Sequence, residues 1–77
     1  MDITVKVTRK GGLYIRSYPM FDKGNTIGEV KGGQTFHITS TTKRDGWTWG
    51  KGERGYIPLA NGKNMHVEQV NGKPLPL

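Results

Sequence analysis

Asp45-Gly46-Trp47-Thr48-Trp49-Gly50-Lys51-Gly52-Glu53-Arg54-Gly55-Tyr56-Ile57-Pro58-Leu59 is the stretch that decides the fold. Asp-Gly ahead of an alternating run is a tight-turn signal, because glycine enters positive φ without steric cost. Trp47 and Trp49 lie two apart and so share one face of a strand. If Ile57 points to the core, Tyr56 and Pro58 point the other way, and a hairpin brings them beside a tryptophan. Gly50, Gly52 and Gly55 also match the spacing of a dinucleotide-binding loop. That loop works where a strand turns into a helix whose N-terminus holds pyrophosphate, and Tyr56-Ile57-Pro58 leaves no place for one. These are hairpin glycines.

Outward from this stretch the alternation continues. Ile3, Val5 and Val7 alternate with Thr4 and Lys6, Leu13 and Ile15 with Tyr14 and Arg16, and Phe36 and Ile38 with His37 and Thr39, each the pattern of a half-buried strand. Turn signals separate them at Lys10-Gly11-Gly12, Lys23-Gly24-Asn25, Lys31-Gly32-Gly33, Asn61-Gly62 and Asn71-Gly72. No window of about 11 residues has helical spacing without a glycine or proline inside it. Strands are expected near residues 2–8, 13–17, 26–30, 35–42, 47–51, 54–58 and 65–70, with Leu13, Ile15, Ile27, Val30, Phe36, Ile38, Ile57 and Val67 supplying the inner set. Short strands with regular turns in so small a chain predict an all-β, partly open barrel.

The 77 residues are 32% hydrophobic and include 12 glycines and no cysteine, which sets a single domain over residues 1–77 with a thin core. Without disulfides or metal, such a scaffold is expected to gain stability as a homo-oligomer or beside a larger parent. Twelve Lys and Arg against six acids give a charge of +6, which favours anionic partners. No run approaches the roughly 18 apolar residues of a membrane span, and Met1-Asp2-Ile3-Thr4 lacks the features of a signal peptide. The loop Ser17–Asn25 carries Tyr18-Pro19-Met20-Phe21, so it either folds back on the barrel or lines a site. The tail Lys73-Pro74-Leu75-Pro76-Leu77 cannot form an interior strand.

Catalysis is not expected. Cysteine is absent, and His37 and His66 both read as surface residues outside any nucleophile or metal-ligand spacing. The acids are spread one per turn or strand, so no metal and no cofactor is expected. The aromatic residues remain: Trp47, Trp49, Tyr56 and Pro58, with Tyr14 opposite Leu13 and Ile15, and Tyr18 in the long loop. Such side chains give large contact area with few rotatable bonds, which suits a ligand groove.

Leu13-Tyr14-Ile15-Arg16-Ser17, Thr26-Ile27-Gly28-Glu29-Val30 through Phe36, Asp45-Gly46-Trp47-Thr48-Trp49 and Gly55-Tyr56-Ile57-Pro58 together resemble the bacterial SH3 (SH3b) domain. Gly33-Gln34-Thr35-Phe36-His37, Asp45 to Trp49, and Tyr56 to Leu59 look like the cell-wall-targeting domains at the C-termini of phage endolysins and lysostaphin-like enzymes. The resemblance covers residues 11 to 70. It implies an SH3-like barrel of five to seven short antiparallel strands that binds Gram-positive peptidoglycan, by its cross-bridge or stem peptide, and delivers a lytic domain to it. By motif match it places Trp49 in the groove and Tyr56 near it. A chain of this kind would be made in the host cytoplasm and act at the wall. The strand before Gly12 is shorter than in those members, so cross-bridge specificity does not carry over. The acidic loop of eukaryotic SH3 domains is missing. The alternative is a basic barrel that stacks nucleic-acid bases on the same aromatics.

Overall fold

The computed structural model describes residues 2–75, which form nine strand segments and one short 3₁₀ turn, Lys23–Asn25. The strands are β1 (Ile3–Val7), β2 (Leu13–Arg16), β3 (Thr26–Val30), β4 (Thr35–Ile38), β5 (Ser40–Arg44), β6 (Trp47–Gly52), β7 (Gly55–Asn61), β8 (Asn64–Met65) and β9 (Val67–Gln69). They make two antiparallel sheets, one ordered β4-β1-β9 and one ordered β3-β2-β7-β6-β5, with β8 paired to β7. The result is a small all-β, barrel-like fold.

The expected strand over 35–42 is cut at Thr39, where the chain leaves one sheet as β4 and enters the other as β5. The Thr39 amide donates to the Lys51 carbonyl at 2.7 Å, which pins this corner to β6. The expected strand over 65–70 is likewise broken at His66, whose amide donates to the Leu59 carbonyl instead of continuing a ladder.

Alternation sets the inner face. Ile3, Val5 and Val7 point inward from β1, and their partners across the sheet, Ile38, Phe36 and Val67, are buried with them. Leu13 and Ile15, Val30, and Ile57 and Leu59 close the core from the second sheet. Close approach of the sheets depends on β6 lacking side chains there: a Cβ at Gly50 would lie 2.7 Å from Ile38 Cδ1, and one at Gly52 would lie 2.8 Å from Phe36 Cε2. β5 and β6 are joined by the two residues Asp45 (φ 51°) and Gly46 (φ 81°), the left-handed pair of a tight hairpin. Gly52 pairs with Gly55 across the next hairpin, so the Gly50–Gly55 spacing is that of a β-turn.

Ile27, expected in the core, is 58% exposed. Ile15 pairs with Gly28 and Arg16 with Thr26, so Ile27 is the extra residue of a bulge on edge strand β3 and is displaced from the inner set. Pro58 lies within β7, between the pairing of Tyr56 with β2 and of Ala60 with β8, and at the register shift against β6. A residue without an amide proton fits at that gap in the ladder. In the tail, the Gln69 side-chain amide donates to the Pro74 carbonyl at 2.7 Å and Leu75 packs on the core; Pro76 and Leu77 lie outside the described residues.

Candidate functional site

Residues paired across strands share a face, so the register assembles the outer face of the larger sheet row by row. The first row is Arg44, Trp47 and Asn61, the second Thr42, Trp49 and Pro58, and the third Ser40, Lys51, Tyr56 and Arg16. Tyr14 stands two residues along from Arg16 on the same side of β2. A bulge in β7 makes this arrangement possible: Thr48 pairs with Ala60 and Trp49 with Pro58, so Leu59 is left over and drops into the core.

The structure thus brings Tyr14, Trp47, Trp49, Tyr56 and Pro58 onto one face, and it corrects the expectation that they form an open groove about Trp49. Trp49 is 1% exposed and Pro58 is buried with it. Trp49 also stands apart from the main core cluster. Its cover is the Ser17–Asn25 loop, which folds back over the sheet. The Phe21 ring sits 4.9 Å from that of Trp49, tilted by 51°, and meets the Trp47 ring edge-on at 5.0 Å. Pro19, within the same loop, is buried. Trp47 and Tyr56 remain partly exposed, and Tyr14 and Tyr18 are more than half exposed.

Arg16 fastens the loop. Its Nη1 donates to the Asp22 carbonyl (2.8 Å), Asn25 Oδ1 (3.1 Å) and Thr26 Oγ1 (3.2 Å). Its guanidinium carbon lies 5.3 Å from the Phe21 ring centre and 5.8 Å from that of Tyr14. Arg44 stands over Tyr18 at 5.3 Å and the Lys51 ammonium over Tyr56 at 5.8 Å. The electron-rich ring faces hold these cations, so the outer surface presents aromatic area and positive charge together.

His66 was expected at the surface. It is instead partly buried, stacked on Trp47 with ring centres 5.3 Å apart. Burial, and secondarily the positive charge of Arg9, hold its pKa below the ordinary value. Two open hollows adjoin the roofed centre. One, of about 490 Å³, lies at the β5–β6 hairpin between Lys43, Arg44, Trp47 and Thr48. The other, of about 480 Å³, lies among Tyr14, Arg16, Lys23 and Thr26.

Sequence reasoning missed Phe21, Arg16, Arg44, Lys51 and His66 as members of this face. The Tyr-Pro-Met-Phe run was the signal for the first, and nothing local marks the rest. Elsewhere, His37 Nε2 lies 3.1 Å from Asp2 Oδ1 and its Nδ1 3.2 Å from Thr4 Oγ1, an acid-histidine-hydroxyl order. The His37 and Asp2 side chains are 53% and 79% exposed, so water solvates the group and screens the charge that activation of the hydroxyl would need.

No family model matches the chain, and no curated protein or solved structure matches it.

Proposed function

We propose that this chain is a non-catalytic module that binds bacterial cell-wall peptidoglycan through the outer face of its larger sheet, and that it targets a lytic partner to the wall. The observation that carries the reading is the joining of Trp47, Tyr56, Tyr14 and Tyr18 into one surface, with Arg16, Arg44 and Lys51 held against the rings. Rings of this kind pack against sugar faces and peptide, and the cations draw the domain to anionic wall polymers. The motif resemblance to wall-targeting SH3b domains supplies the choice of peptidoglycan as ligand.

Sedimentation with purified Gram-positive walls tests it. The double substitution Trp47→Ala, Tyr56→Ala should lower the bound fraction about tenfold, as loss of aromatic anchors does, with an unchanged circular dichroism spectrum. Undiminished sedimentation of the folded double variant refutes the reading. Cations lying over aromatic rings also favour a second one, stacking of single-stranded nucleic acid. That reading demands oligonucleotide binding that falls steeply between low and moderate salt.

A further inference from the structure

Phe21 occupies a place on the sheet that the strand pattern does not give it. Trp49 lies in the middle row of the outer face, outside the main core cluster, and is nevertheless 1% exposed. Phe21 shields it while remaining 53% exposed itself, so the ring rests on a shelf rather than inside a packed interior. Trp49 and the edge of Trp47 bound that shelf.

The loop that carries Phe21 is closed at its base, where the Ser17 amide donates to the Asn25 carbonyl at 2.9 Å. Its other backbone bonds are internal, from Met20 to Tyr18 and from Asn25 to Asp22. Among the described residues, one hydrogen bond joins the sheet to the loop tip at residues 18–23, from Arg16 Nη1 to the Asp22 carbonyl. Arg16 Nε is buried without a partner in this closed arrangement. Lifting the tip opens that donor to water, which offsets part of what is lost when the Phe21 contacts break.

We infer that Phe21 is a displaceable internal occupant of the shelf over Trp49, and that the group which takes its place is a flat, ring-sized apolar face, the pyranose face of a glycan strand. The inference rests on the wall-binding reading and names the part of the wall polymer that enters the site. A phenyl ring and a pyranose ring are of similar width, and both present a flat apolar surface to an indole. A pyranose also carries hydroxyl groups around its rim, which suit the Arg16 guanidinium that already stands beside the Phe21 ring. A glycine cross-bridge has no such face.

A protein whose site is mostly occupied by its own side chain binds with an affinity reduced by the fraction that is open. Titration with a soluble N-acetylglucosamine tetramer, followed by the indole Nε1–H resonance of Trp49, tests this on the full chain. Phe21→Ala should bind the tetramer about three to ten times more tightly than the native chain. Asn25→Ala, which keeps the Phe21 ring and removes the bonds from Asn25 Nδ2 to the Tyr18 and Met20 carbonyls of the loop tip, should gain about twofold and carries the test if Phe21→Ala does not fold. Equal or weaker binding by the folded variants overturns the inference. So does a gain for pentaglycine in place of the tetramer. The titration uses no wall material, so failure of the native chain to sediment with walls removes the wall reading and leaves this result to stand or fall alone.

Discussion

Replacing Trp49 with alanine should act on stability before it acts on any ligand. The residue is 1% exposed, so the indole is removed from water almost entirely. A tryptophan buries about 150–250 Å², which at about 25 cal/mol per Å² corresponds to about 4–6 kcal/mol. Its cover is a loop, and Phe21 can settle part of the way into the space left behind, so about 3–4 kcal/mol is the expected loss, the lower part of the range for large-to-small changes. A chain of this size has on the order of 4–12 kcal/mol in total. The melting temperature should therefore fall by about 12–30 °C. Urea titrations and thermal melts, both followed by far-ultraviolet circular dichroism, measure the change without relying on the tryptophan signal that the substitution alters. A melting temperature within about 3 °C of the native value would refute the placement of Trp49 beneath the loop.

Gly52→Ala should cost about 2–3 kcal/mol, because the added methyl meets the His37 carbonyl and the Phe36 ring, and a backbone atom cannot swing aside; Gly24→Ala, with only Asp22 Oδ1 nearby at 3.5 Å, is the control expected to stay within about 0.5 kcal/mol in the same urea titration. His66 has a folded-state pKa below its unfolded one, so the unfolded chain binds the proton more readily. Its contribution is therefore complete above the unfolded value near 6.5 and is lost as pH falls below it toward the lower folded value. Melts from pH 8 to pH 5 should show that loss, and His66→Gln should flatten it; an identical slope in the variant counts against burial of His66, with Arg9 beside it, as its cause.

Much of the architecture is legible in the residues because local rules agree with the fold. Val5 and Val7 face inward by simple alternation, and Asp45-Gly46 forms the hairpin that its two positive φ values permit. The misreadings have a common physical origin in contacts between distant segments. Thr39 has a β-branched, strand-favouring side chain, and the corner at it depends on Lys51, about a dozen residues on. Ile27 is apolar and in phase, but a single extra residue against β2 turns it to solvent. The site divides in the same way. Spacing put Trp47 with Trp49 and Tyr56 with Pro58 on one side, whereas the burial of Trp49 follows from a loop whose landing place only the assembled sheet defines. His66 joins Trp47 through a break in the last strand that no residue pattern announces.

The pairing of β1 with both β4 and β9 has a consequence for how the molecule assembles. Val5 lies opposite Phe36 on one side and Gln69 on the other, so β1 waits for β9, more than 60 residues later in the chain, before its sheet is complete. The hairpins β5–β6 and β6–β7 join neighbours in sequence and can form as soon as their residues are available. The larger sheet is thus expected to nucleate, and closure of the smaller one, which must gather segments from across the chain, is expected to set the folding rate.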